Sequence, residues 1–140
     1  MYRRVCTILL VTTIAAATIG AGEPPVPRSK IHFSDSWKFY RGDAPGADQI
    51  AFADNAWETV YLPHTVKLES AKSHESYDYY HGYCWYRKTF TPNAAWQGKK
   101  AFLEFEAGMQ TSDVWVNGTK KITFYGGYSP FTIDITADLR

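Results

Sequence analysis

An Asn-Gly pair constrains the fold of this chain more than any other feature. Asn117-Gly118 separates two β-prone runs, 114–116 and 119–122. Both central residues of a type I′ turn need positive φ, which Asn and Gly adopt more easily than other residues. The pair therefore predicts a β-hairpin in which the turn sets the register of the two strands.

Short alternating or apolar runs extend this β pattern along residues 31–140. In the clearest of them, every second residue from 101 to 107 is apolar, and these residues are predicted to share one face of a strand. They are Ala101, Leu103, Phe105 and Ala107. Helix is predicted only as one capped turn at 54–57. The predicted strands lie at 37–39, 59–62, 83–90, 101–107, 114–116, 119–122 and 131–136. Many short strands between turn signals are typical of an all-β sandwich.

Composition limits the size of the protein and its partners. The chain has 140 residues, of which 45% are hydrophobic and 21% charged, which suits one globular domain. Its formal net charge is +1, and no run of Lys or Arg forms a basic stripe. A nucleic-acid partner is therefore not expected, because such proteins neutralise phosphates with clustered basic residues.

The first residues have the pattern of an export signal. Arg3 and Arg4 precede a short apolar run at 5–19, and small residues follow at 20–22. We predict a signal peptide at 1–22, a Pro-rich leader at 23–30 and one β-sandwich domain at 31–140. The mature protein would then be secreted or periplasmic, with no stable membrane span after signal cleavage. The alternative is a single-pass membrane anchor.

Cysteine and histidine usage argues against metal chemistry. Cys6 lies inside the predicted signal, which leaves Cys84 as the one cysteine of the mature chain, predicted to be a buried small hydrophobe. The four histidines show no spacing that would let them share an ion. No metal and no cofactor are predicted. The chain also lacks a Gly-x-Ser-x-Gly motif and a Gly-rich phosphate loop.

Two glutamates raise the possibility of glycosidase catalysis. Glu104 and Glu106 are two residues apart on one predicted strand, which would separate their carboxylates by about 6–7 Å, near the spacing of inverting glycosidases. Alternating charges on the outer face of a half-buried strand are, however, routine. We therefore predict no catalytic residue in this chain.

Taken in order, the motifs resemble the amino-terminal sugar-binding jelly-roll domain of glycoside hydrolase family 2, the β-galactosidase and β-glucuronidase group. The resemblance covers nearly all of residues 31–140. Relatives often place Asp or Thr and then Trp where Thr65-Val66 stands here, so packing at that corner is expected to differ. The matching segments are Trp37-Lys38-Phe39, Asp54-Asn55-Ala56-Trp57, Val60-Tyr61-Leu62-Pro63-His64, Tyr80-His81-Gly82-Tyr83-Cys84-Trp85-Tyr86-Arg87-Lys88-Thr89-Phe90, Leu103-Glu104-Phe105-Glu106-Ala107, Val114-Trp115-Val116-Asn117-Gly118, Gly126-Gly127-Tyr128-Ser129-Pro130-Phe131 and Asp134-Ile135-Thr136.

The resemblance implies a galactose-binding-like jelly-roll β-sandwich. In the family this domain continues through further strands, an immunoglobulin-like domain and a (β/α)8 barrel that carries two catalytic glutamates. We therefore expect the sandwich to lack its last strands and the chain to be a fragment without turnover of its own. Whether it counts as an enzyme is left open. Its expected partners are carbohydrate and the missing carboxy-terminal domains of the same enzyme.

A loop before the 83–90 run holds the predicted substrate-binding residues. A polar stretch at 67–78 has no apolar periodicity, and Tyr79, Tyr80 and His81 close it. Binding residues favour loops, so these three are predicted to contact sugar. Trp37, Trp57 and Trp85 are predicted to be core residues instead.

The predicted function is therefore the sugar-binding domain of a secreted β-galactosidase-like hydrolase that acts on terminal β-linked sugars. A free-standing carbohydrate-binding module without catalysis is the first alternative, disfavoured by the expected unpaired last strand. An extracellular adhesion sandwich is the second. It would explain the fold but not the ordered motifs.

Overall fold

A computed structural model describes residues 28–66 and 80–139 of the chain. The chain divides into two units, 1–32 and 33–140, and every described strand lies in the second. The predicted signal peptide and the predicted polar loop at 67–78 lie outside the described residues. The strands are β1 (Trp37–Arg41), β2 (Glu58–Val60), β3 (Cys84–Arg87), β4 (Phe102–Phe105), β5 (Thr111–Val116), β6 (Thr119–Tyr125) and β7 (Phe131–Asp134), and two 3-10 turns span Ala94–Trp96 and Thr136–Asp138.

The first sheet is built around β1. Its strand order is β2-β1-β3, and both pairings are antiparallel. Phe39 in the central strand is buried, with the rings of His64 and Tyr86 at 4.6 and 4.9 Å. Successive strand residues point to opposite faces, so Tyr40 lies on the other face of this sheet.

The main core forms where β7 meets β4 and the β5–β6 hairpin. Phe131, Ile133 and Ile135 are all buried, and the residues between them are exposed. This confirms the predicted alternation. In β4, which pairs antiparallel with β7, Leu103 and Phe105 pack against the same cluster.

The predicted hairpin is confirmed. β5 and β6 pair antiparallel across Asn117 and Gly118, whose φ angles are 50° and 79°. The Asn117 side-chain amide also donates to the Asp138 carbonyl at 2.7 Å. This bond ties the hairpin turn to the 3-10 turn that follows β7.

Replacing Gly118 with Ala tests the turn. The added Cβ would meet no atom closer than 3.9 Å, so the cost comes from the left-handed backbone alone. We expect the free energy of unfolding to fall by about 1–2 kcal/mol in urea denaturation. Gly127→Ala is the matched control, because Gly127 lies outside the left-handed region and its Cβ would meet only Met109 Cγ, at 3.8 Å. Equal losses in both variants would contradict the assignment.

Four strands end earlier than predicted, and two of them, β4 and β7, end at Phe105 and Asp134 rather than at 107 and 136. β3 ends at Arg87 rather than 90, and its pairing with β1 stops at Lys38. β2 ends at Val60, and the next residue, Tyr61, is exposed. The predicted helical turn at 54–57 is a single hydrogen-bonded turn in which Trp57 N–H donates to the Asp54 carbonyl at 3.0 Å.

In the part of the chain that the structure describes, no helix combines the length and the apolar composition needed to cross a bilayer.

Candidate functional site

Two of the three predicted sugar-contacting residues, Tyr80 and His81, lie in the segment just before β3. Tyr80 donates its hydroxyl hydrogen to the Tyr83 carbonyl at 2.8 Å, and His81 is exposed. The same carbonyl accepts the Gly42 N–H at 2.9 Å, which joins this segment to the turn after β1. Tyr79 lies outside the described residues.

Gly82 makes room for this arrangement. A Cβ at that position would lie 2.6 Å from the Tyr80 hydroxyl oxygen, too close for a real contact. The glycine therefore lets Tyr80 fold back over the segment and reach the Tyr83 carbonyl.

Two further residues, Arg41 and Tyr83, lie beside Tyr80 and His81. The Arg41 guanidinium carbon lies 5.7 Å from the centroid of the Tyr80 ring, within the range of a cation–π contact. Tyr83 is 73% exposed. Arg41 reaches the surface because β1 and β3 pair so that it lies opposite Cys84. We call the four residues Tyr80, His81, Tyr83 and Arg41 the loop surface.

The loop surface carries ring and guanidinium groups that can contact a polar ring compound. Aromatic rings can pack on the apolar face of a pyranose, and a guanidinium donates hydrogen bonds to hydroxyl or carboxylate oxygens. The sequence pattern pointed to Tyr80 and His81 but missed Arg41 and Tyr83. Tyr83 lies near Tyr80 and His81 along the chain, whereas Arg41 is brought to them by the antiparallel pairing of β1 with β3, which no local motif encodes.

The tryptophans predicted to be core residues are half-buried rather than buried. Trp37 donates its indole N–H to the Phe33 carbonyl at 2.7 Å, and Trp85 stacks on Trp115 at 5.3 Å. Trp57 stacks on Tyr40 and lines an open depression on the first sheet. Their large rings lie at the margins of a small sandwich, which leaves part of each accessible.

A second cluster, on the Phe39 face of the first sheet, contains Tyr86, His64 and Cys84. The Tyr86 hydroxyl lies 3.0 Å from His64 Nδ1. Burial, and to a smaller extent the charge of the Cys84 thiolate, raises the pKa of Tyr86 to about 12. Burial also raises the pKa of the half-buried Cys84. At neutral pH both groups are therefore protonated. Cys84 is half-buried, whereas the sequence predicts it to be buried.

Cys84 should be slow to alkylate. Its raised pKa means that the thiolate forms at higher pH in the folded chain than in the denatured chain. We expect the pH profile of iodoacetamide labelling at Cys84 to lie to the alkaline side of the profile in denaturant. Peptide-resolved mass spectrometry separates Cys84 from Cys6. Coincident folded and denatured profiles would contradict the assignment.

The two glutamates lie on the exposed face of β4 and just beyond its end. Glu104 is an exposed residue of β4, and Glu106 is an exposed residue just after that strand. Neither lines the depression on the first sheet. Among residues 28–66 and 80–139, no group of three or more His, Cys, Asp and Glu side chains is placed to hold a metal ion.

Known proteins with similar sequences include β-glucuronidases and β-galactosidases. The chain is 35% identical over 120 residues to a β-glucuronidase from Formosa agariphila, covering 81% of this chain and 12% of that protein. It is also 35% identical over 120 residues to a β-galactosidase from Bacteroides ovatus, covering 81% of this chain and 14% of that protein. No family model matches.

Solved structures agree with the sequence relatives. A β-glucuronidase from Bacteroides uniformis superposes with a TM-score of 0.69 at 32% identity, over 77% of this chain and 12% of that one. A β-glycosidase from Bacteroides vulgatus gives 0.68 at 33% identity, over 79% of this chain and 15% of that one.

Strands and core define an all-β protein of the jelly-roll β-sandwich class. The relatives make the assignment more specific, because they include both named enzymes and solved members of one glycosyl hydrolase family. The chain belongs to glycoside hydrolase family 2, which confirms the resemblance found in its motifs. It spans only 12% to 15% of the length of the first curated relatives that it matches.

Proposed function

We propose that this chain is the sugar-binding domain of a secreted family 2 glycoside hydrolase that acts on terminal β-linked sugars. The observation that carries the proposal is the 35% identity to both a β-glucuronidase and a β-galactosidase. Because relatives with two different sugar names match equally well, the proposal covers the β-glycoside class and not one glycone.

In this proposal the chain binds sugar and the catalytic carboxylates lie in polypeptide outside it. Glycoside hydrolysis uses two carboxyl groups placed on either side of the scissile bond. The loop surface offers three aromatic or imidazole rings and one guanidinium, which are binding groups. Its partners are therefore carbohydrate and the remaining domains of the same enzyme.

Sequencing the gene beyond the codon for Arg140 is the first test. We expect an in-frame continuation whose full product hydrolyses p-nitrophenyl β-galactoside or β-glucuronide. In that product Tyr80→Ala should raise KM by about tenfold, a loss of about 1.4 kcal/mol of binding. Tyr125→Ala, also an exposed tyrosine but in β6, is the control and should leave KM unchanged.

The opposite result favours a free-standing carbohydrate-binding module. A stop codon directly after Arg140, together with sugar binding by the chain itself, would replace the enzyme proposal with that alternative. The exposed rings of His81 and Tyr83 support it, since they need no other domain to be presented to solvent.

Export is the second part of the proposal. The pattern of residues 1–22 supports a signal peptide, followed by the leader at 23–30 and the domain at 31–140. Mass spectrometry of the secreted or periplasmic product should give an amino terminus at or near Glu23. An uncleaved chain recovered in the membrane fraction would instead support the single-pass anchor.

A further inference from the structure

The three asparagines of the chain differ in the residue that follows each of them. Asn117 precedes a glycine, whereas Asn55 and Asn93 each precede an alanine. The backbone nitrogen of the following residue can attack the asparagine side-chain amide, and a Cβ beside that nitrogen hinders the approach. Asn117 is therefore the asparagine with an unhindered neighbour for this reaction.

The hairpin turn leaves space around the attacking nitrogen. Strand pairing begins at Val116 and Thr119, so the nitrogen of Gly118 lies in the turn and outside the paired residues. The side chain of Asn117 is exposed, and a Cβ on Gly118 would meet no atom closer than 3.9 Å. A five-membered ring that joins these two residues therefore fits at the tip of the hairpin, where water can reach it.

We propose that Asn117 is a site of spontaneous deamidation, and that the reaction detaches the 3-10 turn after β7 from the hairpin. The Gly118 nitrogen attacks Asn117 Cγ and loses its proton while the Cγ–Nδ2 bond breaks, so ammonia leaves and a cyclic imide remains. Water then adds to one of the two imide carbonyls and opens the ring, which gives aspartate or isoaspartate. Water is the one co-reactant, and the net change converts an amide and water into a carboxylate and ammonium.

The detachment follows from the contact that the Asn117 side chain makes. Its Nδ2 donates to the Asp138 carbonyl at 2.7 Å, and the Asp138 carboxylate lies 2.6 Å from Lys121 Nζ. At neutral pH the product carboxylate has acceptors alone, so the hydrogen bond is lost and two oxygen atoms face each other. The new negative charge also appears beside Asp138, which already carries one. Leu139, the next residue, packs against the main core, so the detached turn lies directly beside a core contact.

The same hydrogen bond makes the reaction depend on the fold. It restrains Nδ2, the leaving group, while the left-handed backbone of Asn117 and Gly118 keeps the turn closed. Attack requires the Gly118 nitrogen to approach Asn117 Cγ, which needs local opening of the turn. Deamidation is therefore expected to be slower in the folded chain than in the denatured chain.

Peptide-resolved mass spectrometry tests the site. The purified full chain is incubated in warm, mildly alkaline buffer, with and without urea, and each asparagine peptide is followed for the mass gain that marks an amide replaced by an acid. Asn55 and Asn93 are internal controls, because both are exposed in the same sample. In the folded chain we expect Asn117 to convert about tenfold faster than either control, and faster again in urea.

Two substitutions separate the reaction from its structural effect. Asn117→Gly keeps a residue that adopts positive φ but has no side-chain amide, so its hairpin peptide should gain no mass. Asn117→Asp imitates one product, and hydrogen exchange of the Asp138 amide, which donates to the Ile135 carbonyl at 2.9 Å, should become about tenfold faster. The Leu62 amide, which donates to the Ser34 carbonyl at 2.8 Å, is the control. Its unchanged exchange also shows that the variant is folded.

Each part of the inference has a result that would overturn it. A conversion rate at Asn117 no greater than at Asn55 and Asn93 would show that the site does not react in the folded chain. Equal rates at Asn117 with and without urea would show that the turn does not restrain the reaction. Unchanged exchange of the Asp138 amide in Asn117→Asp would show that the 3-10 turn stays attached. None of these measurements depends on sugar binding, so the proposed function is decided separately.

Discussion

Replacing Phe131 with Ala is expected to lower the free energy of unfolding by about 3–5 kcal/mol, the range for deleting a buried aromatic ring. Phe131 is 8% exposed at the start of β7. Its ring stacks on Phe105 at 4.6 Å and on Phe124 at 4.3 Å. The substitution therefore leaves a cavity where three strands meet. A small domain has only about 5–15 kcal/mol in total, so the variant should be largely unfolded at 37 °C.

The matched control for Phe131 lies in the strand that pairs with β7. Phe102 in β4 is 48% exposed, on the face away from the core. Phe102→Ala should cost less than about 1 kcal/mol, because little apolar area returns to water. Phe131→Leu should fall between the two, since it keeps most of the buried volume. Urea denaturation followed by tryptophan fluorescence compares the three. Equal losses at the two phenylalanines would show that the core lies elsewhere.

The parts of this fold that the sequence predicts are those encoded by neighbouring residues. Asn117-Gly118 specifies a turn through the φ angles of two adjacent residues, and the structure has that turn. Phe131, Ile133 and Ile135 specify a buried face through strict alternation, and all three are buried. In both cases the determining interactions act within a few residues along the chain.

The parts that the sequence does not predict depend on strand pairing between distant segments. The pairing of β3 with β1 stops at Arg87, although the strand-like pattern of the sequence runs on to residue 90. Arg41 reaches Tyr80 only through the same pairing, so composition and motif gave no reason to place it in a candidate site. The motif predicts Trp57 to be core, yet its ring is only half-buried, because its exposure depends on how the folded sheet is covered.

Removal of the Arg87 side chain is expected to be the costliest change at a charged position. Arg87 Nε donates to Asp54 Oδ2 at 3.0 Å, and Nη1 donates to the carbonyls of Ala47 and Gln49. Its guanidinium also lies 5.4 Å from the centroid of the Phe52 ring. One side chain on β3 thus anchors the segment between β1 and β2, and Ala47 in that segment is 1% exposed.

Arg87→Met is therefore expected to lower the free energy of unfolding by about 2–3 kcal/mol, because it leaves a carboxylate and two carbonyl groups without this donor. The two ionic side chains are 17% and 22% exposed, so the loss is set below the value for a fully buried pair. Arg87→Lys should lose about half as much, since an ammonium cannot reach several divergent acceptors in the same way.

The control for Arg87 is a solvent-exposed ion pair. Lys100 lies 3.8 Å from Asp134, with side chains 76% and 46% exposed, so Lys100→Met should cost at most about 0.5 kcal/mol. A double-mutant cycle of Arg87→Met with Asp54→Asn then separates the ion pair from the bonds to the carbonyls. If the pair alone accounted for the whole loss, the cycle would show full coupling. We expect partial coupling, because two of the three hydrogen bonds do not involve Asp54.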